Sequence, residues 1–253
     1  MTRQISPYML RLASSHAEVA AAQALRYQVF VEELGGRGGG LTDAGARIEA
    51  DRYDEHCGHL LILDAFRENA VVGTTRVLGN VGATQAGGFA SEEEFDLETL
   101  HRSGRRLLEV GRTCLHPDHR GGSAMHRLWQ GLADLVEEQG VNLLFGLASF
   151  PGTDVAALAQ PISCLHRDFL APEVLRPRSR APVDPDLLPS DRICRREAMP
   201  AMPALLKAYL RLGGRVGEGV FVDPTFGCTD VCMVLDTALL SDRARRIYAG
   251  EPQ

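Results

Sequence analysis

No apolar run in this 253-residue chain approaches the roughly 20 residues needed to cross a bilayer. The longest, residues 59–66 and 142–150, fall well short of that, which excludes a spanning helix. The start, Met1-Thr2-Arg3-Gln4-Ile5-Ser6-Pro7, carries one arginine and no apolar stretch of signal-peptide length behind it, so a cytoplasmic protein is expected. The six cysteines lack zinc or redox spacing: even the closest pair, Cys228 and Cys232, is separated by three residues. Buried reduced thiols are the expectation, with no metal site and no bound cofactor. Positive charge is also short, 27 basic against 33 acidic side chains, and a net charge of −6 argues against nucleic acid as a partner.

What remains is ordinary globular material, 45% hydrophobic and 24% charged. A short strand near residues 9–13 precedes a helix over 15–34, where Val19, Ala22, Arg26, Val29 and Phe30 recur at helical spacing until Gly35-Gly36. Residues 35–48 are glycine-rich and read as a loop bordering a site. Strands are predicted at 59–65, 70–78 and 106–115, with a short acidic helix over 91–100 inserted before the third. A long amphipathic helix over 122–138 carries Met125, Leu128, Trp129, Leu132, Leu135 and Val136 on one side and stops at Gly140. The apolar run 142–149 then reads as a strand buried on both faces and parallel to 106–115, a βαβ unit. Thr153 or Asp154 can cap a helix ending near Phe169. A proline- and arginine-rich stretch over 171–201 reads as a loop or lid. The remainder holds a helix over 204–212, strands at 216–222 and 230–235, and a terminal helix over 239–248. With no internal repeat and no linker, residues 1–253 are expected to form one α/β domain.

The most informative segment is Leu107-Leu108-Glu109-Val110-Gly111-Arg112-Thr113-Cys114-Leu115-His116-Pro117-Asp118-His119-Arg120-Gly121-Gly122-Ser123. A strand places a carboxylate and a guanidinium near its middle, and a Pro/Gly turn then opens a helix whose first N–H groups lack partners and can hold a phosphate. Glu109 and Arg112 are three apart and would leave a regular strand on opposite faces. A bulge at Gly111 would bring them together.

This strand-turn-helix unit and the order of elements resemble the Gcn5-related N-acetyltransferase (GNAT) superfamily. Within it, Leu25-Arg26-Tyr27-Gln28-Val29-Phe30, Asp51 with Asp54, Gly73-Thr74-Thr75-Arg76 and Leu108-Glu109-Val110-Gly111-Arg112 resemble the branch that takes acyl groups from acyl carrier protein. The later pieces, Leu144-Phe145-Gly146-Leu147-Ala148-Ser149-Phe150-Pro151-Gly152-Thr153-Asp154 and Pro203-Ala204-Leu205-Leu206-Lys207-Ala208-Tyr209-Leu210-Arg211-Leu212-Gly213, are most similar to the ornithine N-acyltransferases, often labelled hemolysin-like. The resemblance implies a central mixed sheet splayed between two parallel strands and flanked by helices. It also implies transfer of a (3-hydroxy)fatty acyl group from an acyl carrier protein thioester to the α-amine of L-ornithine, the first step of ornithine lipid synthesis. Alternative readings are an N-acyl amino acid or acyl-homoserine lactone synthase with another acceptor, or a noncatalytic module binding lipid or carrier protein. A lipid product implies peripheral contact with the inner membrane.

Residue roles follow from the same resemblance. An attacking amine must lose a proton, and Glu109 is the candidate base, with burial expected to raise its pKa; the competing reading is an ion pair with Arg112 or Arg76. Ser149 is the candidate donor to the leaving thiolate. Arg26, Asp51, Asp54, Arg76 and Arg112 are assigned to the acceptor site, with Arg26 organising the acidic loop and Arg76 and Arg112 either clamping a carboxylate or neutralising acids. Phe30, Val110, Gly111, Thr113, Arg120, Gly121, Gly122 and Ser123 are assigned to the acyl and pantetheine arm. Ser123 and Met125 stand where the superfamily pattern has small residues that admit a diphosphate. A carrier-protein arm ends in one phosphodiester and needs fewer such residues. The arginines between 176 and 196 are a candidate landing surface for that acidic protein.

Overall fold

The computed structural model describes residues 7–180 and 188–240. In chain order, β1 (Tyr8–Leu12) leads to α1 (His16–Arg26), which runs directly into π-helical turns over Tyr27–Glu33. The expected helix over 15–34 is therefore present, but its second half is wound wider. The Leu34 N–H reaches back five residues to the Val29 carbonyl at 3.1 Å. Such turns within a helix are frequent at functional sites.

Strands β2 (Gly58–Asp64) and β3 (Ala70–Gly79) form a hairpin and α2 (Asn80–Ala86) follows, a helix that sequence periodicity does not mark. The acidic stretch over 91–100 is not one helix. It is a 3₁₀ turn (Ala90–Glu93), a two-residue strand β4 (Phe95–Asp96) and α3 (Glu98–Arg102). Next come β5 (Leu107–Leu115), α4 (Ala124–Glu138), β6 (Leu143–Pro151) and α5 (Ala159–Phe169). Asp154 caps a 3₁₀ turn just ahead of α5, accepting from the N–H groups of Ala156 and Ala157. In its described residues, 171–180 and 188–201, the proline-rich stretch is more structured than a loop. It contains β7 (Arg178–Ser179), paired with β4, and α6 (Arg195–Ala201), with Pro200 in its last turn. Helix α7 (Ala204–Arg211) precedes β8 (Arg215–Val216), β9 (Phe221–Asp223) and β10 (Cys228–Asp236), so the strand expected over 216–222 is two short pieces. Most of the expected terminal helix lies outside the described residues.

The main sheet runs β1-β2-β3-β5-β6-β10-β8, with β9 on β10. All its named pairings are antiparallel except β5 with β6. That exception follows from α4, which carries the chain back across the sheet so that the two strands must run alike. Leu128, Trp129, Leu132 and Leu135 of α4 are buried in the principal core together with Leu60, Ile62 and Leu144. Trp129 meets Tyr209 of α7 edge-on at 5.0 Å. Each of these side chains removed from water contributes about 1.5–3 kcal/mol. Ala22 of α1 packs with Leu61 and Leu63. No helix among the described residues is long and apolar enough to cross a membrane.

Candidate active site

The parallel pair β5 and β6 stays in register for only three residues, Leu107 with Leu143, Leu108 with Leu144 and Glu109 with Phe145. Gly146 comes next, and a Cβ there would lie 2.0 Å from the Val110 carbonyl oxygen, so only glycine lets the backbones meet at the point where they part. Beyond it β5 is bulged. Its register with β3 jumps from Gly111–Arg76 to Cys114–Thr74, leaving Arg112 and Thr113 opposite the single residue Thr75. The extra residue is carried by Arg112, at φ 51°, rather than by Gly111. A left-handed arginine costs roughly 1–2 kcal/mol. Glu109 and Arg112 consequently border the same cavity.

That cavity, about 920 Å³, is walled by β5 from Glu109 to Thr113, by Leu147 and Ser149 of β6, by Phe30 of the π-helical turns, and by segments 38–41, 90–94 and 221–230. Phe30 meets Phe226 edge-on at 6.0 Å, forming an apolar wall.

Beneath the cavity lies a buried ionic lattice. Arg26 is fully buried; its Nε contacts Glu49 at 2.5 Å and its two Nη atoms contact Asp54 at 2.7 and 3.0 Å. Arg76 Nη1 reaches Asp51 at 2.5 Å and Asp54 at 3.0 Å. Arg112 binds Asp51 at 3.0 Å and Glu49 at 3.3 Å, with its guanidinium 4.5 Å from the centre of the Phe226 ring. Three arginines thus match three carboxylates. Burial alone pushes the Asp51 and Asp54 carboxyls up, but the adjacent arginines overcome it and hold both below their usual range. Arg26 bonds to the acidic segment through Asp54 and Glu49, and among the hydrogen bonds of the described residues it makes none to Asp51. Arg76 and Arg112 are both paired with these acids. Arg112, with 23% of its side chain exposed, still borders the cavity.

Glu109 pairs with neither arginine. Its Oε2 accepts from the Ala90 N–H at 2.9 Å, and its Oε1 accepts from the Ser91 N–H at 2.6 Å and from the Ser91 hydroxyl. Burial raises its pKa, and these hydrogen bonds from Ser91 and Ala90 work against the rise. The carboxylate therefore stands at the mouth of the fork with segment 90–91 folded onto it.

Not every expected residue gathers here. Val110, Gly111 and Thr113 line the cavity, but Arg120, Gly121, Gly122 and Ser123 do not. Arg120 is bound to Glu33 at 2.5 and 2.7 Å and to the Leu115 carbonyl at 3.1 Å. Ser123 gives α4 no side-chain cap. Nearby histidines are engaged elsewhere: His116 with Gln28, His119 with Tyr8, and His166 with the Ile162 carbonyl and the Gly219 N–H. In the basic stretch, Arg176 and Arg178 meet Glu218 and Arg195 meets Asp168, so part of its charge is neutralised.

Sequence reasoning missed a second set of groups on the same cavity. They stand around the expected Ser149, which lies directly across from Asp230 of β10. Glu94 borders the same wall, and Cys228 Sγ donates to Asp230 Oδ2 at 3.3 Å. Burial, reinforced by the charges of Asp230 and Asp223, pushes the Glu94 carboxyl up to about 9. Asp223, Cys228 and Asp230 place three ligand-type atoms within 4.8 Å of one another. The available signal was Asp230 itself, an acid directly before the buried run Val231-Cys232-Met233-Val234.

Known proteins bear on this geometry. The family model described as an acetyltransferase (GNAT) domain matches residues 25–130. The chain is 51% identical over 245 residues to an L-ornithine N(alpha)-acyltransferase of Rhodobacter capsulatus, covering 95% of this chain and 94% of the relative. It is 38% identical over 259 residues to an L-ornithine N(alpha)-acyltransferase of Brucella abortus, covering 98% and 91%. Among solved structures, the CoA-dependent acyl-homoserine lactone synthase BjaI with MTA superposes at a TM-score of 0.55, with 14% identity and coverage of 97% of this chain and 91% of that one. FeeM, an N-acyl amino acid synthase from uncultured soil microbes, gives 0.55 at 12% identity, covering 94% and 97%. These two likenesses concern the fold.

Proposed function

The chain belongs to the L-ornithine N(alpha)-acyltransferases, GNAT-fold enzymes, and from that premise we propose how its forked cavity moves an acyl group onto the α-amine of ornithine. The observation that carries the reading is the carboxylate of Glu109, 5% exposed, at the point where β5 and β6 separate. The acyl thioester enters the gap between the strands, with Val110, Gly111 and Thr113 along one side and Phe30 near its acyl end. The α-carboxylate of ornithine is drawn to Arg112, the arginine of the lattice most open to the cavity. Glu109, through a water, removes a proton from the α-ammonium. The nitrogen lone pair forms the C–N bond at the thioester carbonyl, whose oxygen takes the negative charge near the N–H groups of the bulge. Collapse breaks the C–S bond; the nitrogen gives up its second proton, relayed through the Ser149 hydroxyl to the departing sulfur, and a neutral amide and a free thiol result.

The donor is an acyl carrier protein thioester. Ser123 and Met125 occupy positions where a diphosphate would need small residues, and Arg120 is already committed to Glu33. One phosphodiester at the uncapped start of α4 asks for less. The arginines between 176 and 196 that remain exposed form the landing surface. The lipid product brings the enzyme to the inner membrane as a peripheral visitor from the cytoplasm.

Steady-state assays with acyl carrier protein thioester and ornithine test the roles. Glu109→Gln is expected to lower kcat by roughly 10²–10⁴ with KM little changed. Ser91→Ala, which removes one hydrogen bond to Glu109 but keeps the carboxylate, is expected to lose less than tenfold. Equal losses in the two variants, or loss of folded protein by circular dichroism in Glu109→Gln, would assign Glu109 to loop anchoring instead.

A further inference from the structure

The ionic lattice beneath the cavity is neutral, three arginines on three carboxylates. Among the described residues, Arg112 is committed to Glu49 and Asp51, and no cation forms a salt bridge with Glu94, Asp223 or Asp230. Asp230 is 3% exposed. No N–H or O–H of the described chain donates to its Oδ1, and none donates to Oε2 of Glu94, although both atoms are buried. Asp230 Oδ2 is satisfied by the Cys228 thiol. Asp223 Oδ1 accepts the N–H groups of Thr225 at 2.6 Å and Phe226 at 3.2 Å. Three acidic side chains thus share one wall of the cavity, with two buried oxygens lacking any donor. Leaving a buried acceptor unpaired costs about 1–3 kcal/mol, and more when it is charged.

Resting on the acyltransferase reading above, we propose that Glu94, Asp223 and Asp230 form the seat for the acceptor's δ-ammonium, and that this seat fixes which of ornithine's two nitrogens is acylated. A primary ammonium presents three donors and no acceptor. The seat supplies acceptors on three carboxylates, two of which nothing else in the described chain fills. A nitrogen held there stays protonated and cannot attack. The other amine is left at the fork beside Glu109. When the seat is empty, a proton between Glu94 and Asp230 takes the place of the cation, which agrees with the raised carboxyls there. A metal ion fits less well. The Cys228 thiol is pushed above its usual range, first by burial and then by the charge of Asp230, and it donates its proton to Asp230 instead of offering a thiolate.

The test compares kcat/KM for ornithine and for norvaline, which has the same carbon chain without the δ-amine, in wild type, Asp230→Asn and Glu94→Gln. Folding is checked by circular dichroism and thermal melting, and Asp223→Asn replaces any variant that does not fold. Wild type should favour ornithine, and the ornithine-to-norvaline ratio should fall roughly 100-fold in the variants, in line with truncating one partner of a buried charge pair. A ratio that falls less than tenfold overturns the proposal. So does a wild type that acylates both acceptors equally well, while the acyltransferase reading survives. Ornithine turnover abolished by a chelator and restored by a divalent metal would also overturn it, by making the cluster a metal site. If wild type acylates neither amine, the functional reading fails first.

Discussion

Removing Arg26 isolates the contribution of the buried lattice. The guanidinium is fully buried and satisfies Glu49 through Nε and both oxygens of Asp54 through its Nη atoms. In Arg26→Met the volume is nearly kept, but Arg76 and Arg112 face Glu49, Asp51 and Asp54, so one negative charge is left over. Breaking a buried pair by deleting one partner costs about 3–5 kcal/mol. For a chain of this size each kcal/mol lowers Tm by about 2–4 °C, so a drop of roughly 6–20 °C at pH 8 is expected. The pH dependence carries its own sign. In wild type, burial raises the Asp54 carboxyl, but Arg26 and then Arg76 hold it well below the unfolded value. The stability from that depression is present above about pH 4 and is lost as pH falls through the folded pKa. Without Arg26 the depression shrinks, and protonating Asp54 removes the surplus charge, so the variant's deficit should be larger at pH 8 than at pH 5. Differential scanning calorimetry across that range reads both effects. A deficit under 2 °C, or one independent of pH, would refute the reasoning.

Three further outcomes follow from other contacts. Glu94 has its carboxyl raised in the folded state to about 9, so the folded chain binds a proton that the unfolded chain has released. Its contribution therefore falls as pH climbs from about 4.5 toward 9, and the unfolding free energy of Glu94→Gln relative to wild type should become more favourable over that window, by at least about 1 kcal/mol in urea denaturation. Gly146→Ala places a methyl against the Val110 carbonyl and should destabilise the fold by roughly 1–3 kcal/mol or more, as read by urea denaturation. With donors compared side by side, acyl carrier protein thioester should exceed acyl coenzyme A in kcat/KM by at least about tenfold; equal use would remove the carrier-protein surface from the account.

The long elements were legible because their patterns are strong. The apolar stripe from Met125 to Leu135 could only be a packed helix, and the unbroken apolar run of β6 fitted a strand covered on both faces and parallel to β5. The winding of Tyr27–Glu33 was not legible, since no residue there distinguishes a wider turn from an α-helix. Gly111 correctly signalled a bulge, yet the strained conformation fell on Arg112, which is anchored by Glu49 and Asp51. Tertiary contacts, not local preference, decide that position. Family resemblance pointed to Arg26, Asp51, Asp54, Arg76 and Glu109, which the fold brings to one cavity and its floor, but gave no sign of Glu49 beside them. In a glycine-rich segment a glutamate looks like solvent-facing sequence until the fold buries it. The 171–201 stretch misled because its prolines hid a two-residue strand and a short helix, both held by partners distant in sequence.

The central claim, an amide formed at one chosen nitrogen, is tested most directly with ornithine carrying ¹⁵N only at the α-amine. Purified enzyme, acyl carrier protein thioester and this acceptor should yield a product whose amide nitrogen is ¹⁵N by fragment mass spectrometry, with one free thiol released per amide. An unlabelled amide nitrogen, or thiol release without any amide, would contradict it.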